Sequence, residues 1–96
     1  MRYNILVAPD ANEGLNKLKP NIRAQVKDAI EGHLRYEPQK LSKSRIKRLR
    51  GFTRPQFRLR VNDVRVFYDV DQATVEVLAI VHKSTADEWL ESFGEQ

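Results

Sequence analysis

Arg58, Arg60 and Arg65 stand on either side of Asn62-Asp63, in a stretch that alternates apolar and charged residues: Phe57-Arg58-Leu59-Arg60-Val61, then Val64-Arg65-Val66-Phe67-Tyr68. Asn and Asp both tolerate positive φ, so a two-residue turn at Asn62 and Asp63 makes this stretch a β-hairpin. That turn sets Val61 against Val64, Arg60 against Arg65, Leu59 against Val66 and Arg58 against Phe67, and directly opposed side chains share a face. Three guanidinium groups therefore meet on one side of a sheet, at a like-charge cost of a few tenths to about 1 kcal/mol. Two readings account for them. Their stems could shield Phe67, Leu78 and Ile80 while the heads stay in water. Alternatively, they converge on a phosphate, gripping it in two-point contacts and stabilising the charge that builds on a five-coordinate phosphorus. The second reading gains from the residues around them.

A further apolar stretch, Val75 to His82, follows a loop placed at Asp71 to Thr74 and extends the hairpin into a meander. Strict alternation pairs Val70 with Val75, Tyr68 with Val77, Val66 with Ala79 and Val64 with Val81, which lays Arg65 against Ile80 and puts His82 on its diagonal. Guanidinium groups are poor bases. His82 is the neighbour whose ordinary pKa, about 6.5, lets it exchange a proton near neutrality. Crowding by Arg65 and Lys83 disfavours its charged form and suits a base, although a strand-end histidine making a local hydrogen bond fits the same position. His33 and His82 have no carboxylates at ligand spacing, so no metal is expected. There is no glycine-rich phosphate loop and no nucleophile elbow, and no cofactor is expected either.

The cations that lead into the hairpin strengthen the case for a polyanion. Between Pro38 and Asn62 there is no acidic residue, while nine of the seventeen lysines and arginines fall there, leaving eight cations against thirteen acids elsewhere. The net charge of +4 is thus a local patch on an otherwise acidic chain, and such a field favours nucleic acid with salt-sensitive binding. Lys43, Arg45, Lys47, Arg48, Arg50 and Arg54 are the expected nucleic-acid contacts, RNA-binding residues if the partner is RNA.

The scaffold for these residues reads as follows. Tyr3, Ile5 and Val7 alternate in a first strand stopped by Pro9. Asp10 and Glu13 are spaced as a capping box for a helix ending near Lys19. Pro20-Asn21 opens a second helix with the apolar stripe Ile22, Val26, Ala29, Ile30 and Leu34, ended by Pro38 at about Tyr36, so that the two helices form a hairpin across the sheet. His33 lies at the edge of that stripe as a structural residue. In the basic stretch, Leu41, Arg45 and Leu49 are spaced for one side of a short helix. Ala86, Trp89, Leu90 and Phe93 give a closing amphipathic helix in which Trp89 is a core anchor. The fold class is α+β, in one domain of 96 residues. Zero cysteines suit a reducing compartment. No apolar run approaches the ~20 residues of a membrane span, and Met1 leads into a strand pattern rather than a signal sequence. A cytoplasmic protein without membrane contact is expected.

The run Arg48-Leu49-Arg50-Gly51, the two hairpin strands and Val77-Leu78-Ala79-Ile80-Val81-His82-Lys83 resemble the RelE/ParE superfamily of bacterial toxins over most of the chain. The resemblance implies the order strand, helical hairpin, basic connection, three-stranded meander and C-terminal helix. It implies a toxin that, in the RelE branch, enters the ribosomal A site and cuts messenger RNA through attack by the ribose 2′-hydroxyl, and that is neutralised by a cognate antitoxin. Arg58 and Arg60 match the basic positions of the first meander strand, Arg65 the arginine of the second, Lys83 the basic residue after the third, and His82 a histidine found in many members. Where several ribonuclease members carry a catalytic tyrosine near the C-terminus, this chain has Trp89, which has no ionisable hydroxyl. Tyr68 is no substitute, because parity turns it to the core. Two other functions compete with the ribonuclease: a ParE-like inhibitor of DNA gyrase, and a non-catalytic RNA-binding module.

Overall fold

Alternating apolar residues become strands only where a ladder is on offer, and five segments of this chain find one. The computed structural model describes residues 1–96 and places the strands in the order β1-β5-β4-β3-β2. Here β1 is Asn4–Val7, β2 Ile46–Arg48, β3 Phe57–Val61, β4 Val64–Asp71 and β5 Thr74–His82. Strands β2 to β5 run antiparallel to their neighbours, and β1 joins β5 in parallel. The helices are α1, Pro9–Asn16; α2, Pro20–Ala29, continued by a π-helical turn at Ile30–Leu34; and α3, Lys83–Phe93. The α+β order of strand, helical hairpin, meander and closing helix is as expected, with β2 added.

The helices start on prolines rather than on the expected capping box. Pro9 and Pro20 open α1 and α2, where a missing N–H forfeits no helical bond. Ala8, in the N-cap place, has no side-chain acceptor, so Asp10 and Glu13 do not act as a box and α1 stops at Asn16. Arg23 of α2 then joins the two helices: its guanidinium donates to the Leu15, Asn16 and Leu18 carbonyls at 3.3, 3.0 and 2.9 Å. All three carbonyls belong to the end of α1 and the turn that follows it, where helical partners run out.

The sheet separates two cores of unequal size. Against one face, Ala11 and Leu15 of α1 and Val26, Ile30 and Leu34 of the second helix pack on Leu59, Val64, Val66, Tyr68, Val75, Val77 and Ile80. Tyr68 is fully buried there and donates its hydroxyl to the Pro38 carbonyl at 2.6 Å. Burial without a charged partner pushes its phenol well above its ordinary pKa. Against the other face α3 covers a smaller group, Phe67, Ala79 and Ala86, with Leu49, Val81, Trp89 and Leu90 around it. Trp89 is the anchor expected, its ring stacked on Phe67 at 5.1 Å and 7°.

Two further expectations fail, each for a local reason. The basic stretch contains no helix; it contributes β2, because Ile46 rather than Leu41 or Leu49 is the residue that reaches the core, paired with Leu59. Leu41 is left 58% exposed. The second failure is one of register. The β3–β4 pairing is as expected, with Asn62 at φ 53° in the turn, and Val70–Val75 and Tyr68–Val77 also hold. Beyond them a β-bulge places Phe67 opposite Ala79, so Leu78 is an extra residue and every later pair moves by one: Val66–Ile80, Arg65–Val81 and Val64–His82. A period-two pattern read from sequence has no signal for one inserted residue.

Candidate phosphate-binding face

The register of three strands gathers cations on the α3 side of the sheet. Lys47 of β2 lies opposite Arg58 of β3, and Arg60 of β3 opposite Arg65 of β4. Opposed residues share a face, so four cations project together. Lys83, at the start of α3, is held at the same turn: its amide donates to the Asp63 carbonyl at 2.7 Å, and its ammonium lies 3.3 Å from Asp63 Oδ1. Lys47 joins the group only because β2 is a strand, which the sequence reading missed, and Asp63 as the partner of Lys83 appears only once the meander is closed.

Arg58, Arg60 and Arg65 have no carboxylate in ion-pair contact; every ion pair of the chain involves other residues. Arg58 is half-buried, its Nε has no hydrogen-bond partner, and desolvation, then Arg65 and Arg60, lowers its pKa. Arg65 is lowered as well, by desolvation and then by Arg60, against an opposing pull from Asp63. Its guanidinium is aimed by the turn, donating to the Asn62 and Val64 carbonyls at 2.8 and 3.2 Å. The turn is tied in its own right to α2, through a 2.7 Å hydrogen bond from Asn62 Nδ2 to Gln25 Oε1. Guanidinium groups remain charged despite such shifts. The three lie together without a carboxylate in ion-pair contact, and Arg58 and Arg65 are partly dry as well, an arrangement whose repulsion a bound anion would relieve.

His82 does not join them. The bulge puts it opposite Val64, on the face of the helical hairpin. It borders a cavity there with Glu13, Gly14, Lys17 and Leu18, and its Nδ1 accepts the Ser84 amide at 3.1 Å as the N-cap of α3. The expected diagonal with Arg65 is therefore corrected: adding Leu78 reverses the parity of everything after it.

The basic stretch divides as well. Lys43, Arg45, Lys47, Arg48 and Arg50 are exposed around β2. Of these, Arg48 lies over the Phe57 ring at 5.1 Å, and Arg45 borders a cavity with His33, Glu37 and Ser42. Burial and then Arg45 lower the pKa of His33, against an opposing pull from Glu37, in keeping with a structural role. Arg54 departs from the expected RNA contacts. It sits among Asp69, Glu76 and Glu95 at 3.4, 2.9 and 3.9 Å, with its charge already offset.

Comparison with known proteins gives a consistent result. A family model described as ParE toxin of type II toxin-antitoxin system, parDE, matches residues 5–86. Among solved structures, the chain is similar to one in a RelBE toxin-antitoxin complex of Mycobacterium tuberculosis, at 30% identity and TM-score 0.74, covering 85% of this chain and 99% of that one. A chain of the RelB-RelE complex of Methanococcus jannaschii, at 20% identity and TM-score 0.66, covers 88% of this chain and 96% of its own. A mutant of E. coli toxin RelE in the free state, at 21% and 0.58, covers 95% and 94%. The last two show the fold alone. No curated protein matches the sequence.

Proposed function

Because the chain belongs to the ParE toxin family of type II toxin-antitoxin systems, within the RelE/ParE superfamily, we propose that it is an endoribonuclease toxin acting on messenger RNA in the ribosomal A site. Its controlling partner in this reading is a cognate antitoxin, and its place of action is the cytoplasm. The observation that carries the reading is the trio Arg58, Arg60 and Arg65, which shares a face and has no carboxylate within ion-pair distance. A structural ion-pair network would have supplied one, as it does for Arg54.

In the proposed reaction the RNA supplies its own nucleophile. The 2′-hydroxyl oxygen attacks the adjacent phosphorus, the bond to the 5′-oxygen breaks, and a 2′,3′-cyclic phosphate remains. The arginines hold the non-bridging oxygens and favour the five-coordinate transition state, where charge is greatest. The 2′-hydroxyl proton leaves to solvent. The departing 5′-oxygen takes a proton, and Lys83, held at the β3–β4 turn by Asp63, is the donor in this account. His82, across the sheet, serves as a helix cap in this account.

A second reading, inhibition of DNA gyrase without RNA cleavage, is favoured by the ParE description of the matching family and by the separation of His82 from the arginines. One experiment separates the two. Purified protein is added to a translating extract and messenger breaks are mapped, with Arg65→Ala, Lys83→Ala and His82→Ala in parallel. Ribonuclease action gives breaks that vanish with Arg65→Ala, weaken with Lys83→Ala and persist with His82→Ala. Intact messages together with arrested gyrase supercoiling give the second reading.

A further inference from the structure

Edge strands carry N–H and C=O groups that no neighbour uses, and soluble proteins cover or charge them. The two edges of this sheet are treated differently. At β2 the Ser42 hydroxyl accepts the Arg45 and Ile46 amides at 2.9 and 3.1 Å, and the Ser42 amide donates to the Ile46 carbonyl at 3.0 Å. Lys47 and Arg48 add charge along the same strand.

At β1 there is one guard. Arg35 accepts the Tyr3 amide on its carbonyl at 2.7 Å and donates from its guanidinium to the Tyr3 carbonyl at 3.1 Å. The Asn4 and Ala8 amides donate inward, to Ala73 and Val77 of the β5 side at 2.8 and 2.9 Å. Even-numbered residues therefore face β5, and Ile5 and Val7 turn their amides and carbonyls outward, where no protein group meets them. The side chains are equally unguarded. Leu6 is 59% and Val7 42% exposed, and no charged residue lies between Tyr3 and Pro9. The edge leads directly into a cavity of about 370 Å³ lined by Ala8, Pro9, Leu78, Trp89 and the exposed Phe93. Asp10 lines it without an ion-pair partner, and the Arg54 on its rim is held by three carboxylates.

We propose that β1 is a strand-accepting edge: an extended segment of a partner protein pairs with Ile5 and Val7 and sets an apolar side chain between Ala8, Leu78, Trp89 and Phe93. A second copy of this chain is a poor occupant, since two open residues per strand fall well short of the roughly 1,000 Å² that a stable interface buries. The occupant continues past the strand, and the cavity is where it goes. Asp10, the lining charge without a partner, selects a lysine or arginine beside the apolar anchor. This surface thus has charge preferences opposite to those of the arginine face, and it stands or falls independently of the ribonuclease reading.

The test uses a displayed library of random decapeptides panned on the intact protein. Selected peptides are expected to alternate apolar residues and to carry a cation, and to slow hydrogen exchange of the Ile5 and Val7 amides when bound. Val7→Pro removes an outward N–H that the fold does not use, and Leu6→Lys charges the edge while keeping the backbone. Each is expected to weaken binding about tenfold or more, the loss of one or two strand bonds with their apolar contact, at unchanged Tm. Arg65→Ala is expected to leave binding intact. A library that yields no binder, binders indifferent to both variants, or a dimer of the protein itself that Val7→Pro dissolves would each overturn the assignment.

Discussion

Two groups of arginine occupy the same stretch of sequence and have opposite fates. Arg58, Arg60 and Arg65 face one another without a carboxylate in ion-pair contact, whereas Arg54, four residues before Arg58, is held by Asp69, Glu76 and Glu95. The held arginine fastens pieces of the fold. Its backbone exchanges hydrogen bonds with Glu95 at 3.2 and 2.7 Å, and the Thr53 amide joins the same carbonyl at 2.7 Å, so the chain end is sewn to the loop before β3. The free arginines join no distant parts of the chain, since Arg65 bonds only to carbonyls of its own turn, and their mutual repulsion is a cost the fold carries. Charge density along a sequence does not distinguish a site from a staple; the placement of counter-ions does.

Substitution in the two groups should therefore separate activity from stability. The largest effect is expected for Arg65→Ala: messenger cleavage in the extract falls by about 10²- to 10³-fold, the scale for removing a preorganised charge donor, while Tm stays level or rises as repulsion is relieved. Cleavage that survives Arg65→Ala would remove the distinction. Arg54→Ala should do the reverse. It strands the half-buried Asp69, and urea unfolding is expected to register a loss of roughly 1–3 kcal/mol, with cleavage per folded molecule unchanged.

Salt dependence sharpens the comparison at smaller scale. If Arg60 contacts one phosphate, Arg60→Gln lowers the slope of log affinity against log salt by about one unit, and Arg54→Gln leaves it unaltered; filter binding of a short RNA from low to moderate salt measures both. The smallest effect concerns pH. Burial first, then the nearby Glu76 and Glu95, raises the pKa of Asp69 in the fold, against the Gln56 amide and Arg54, which pull it down. The folded state therefore binds this proton more readily than the unfolded chain. Its stabilising contribution is complete below the unfolded pKa and fades as pH rises through the folded one. Asp69→Asn should remove that acid-side gain, seen as a flatter stability profile from pH 3 to pH 6 (on the order of the carboxylate range).

Much of the fold was legible because its signals are local. The Asn62-Asp63 turn fixed the β3–β4 register pair by pair, and the stripes of α2 and α3 named Val26, Ile30, Leu34, Ala86 and Trp89 as packing residues. The arginine trio followed from that turn, since it needs only residues 58 to 65. Arg54 and Lys47 were not separable from their basic neighbours, because their roles depend on residues distant in sequence, such as Glu95.

By itself the sequence determined the family, through the resemblance of its motifs, and also the element order apart from β2 and the three arginines on one face, which rest on periodicity and on a turn whose chemistry spans two residues. Tertiary structure alone decided that His82 turns away from them, that Arg54 is neutralised, and that the β1 edge is left open beside the Trp89–Phe93 cavity. The physical reason is the same in each case. A one-residue bulge, a counter-ion and a missing ladder partner are facts about neighbours in space, and the side chains concerned are the same whichever neighbours they acquire.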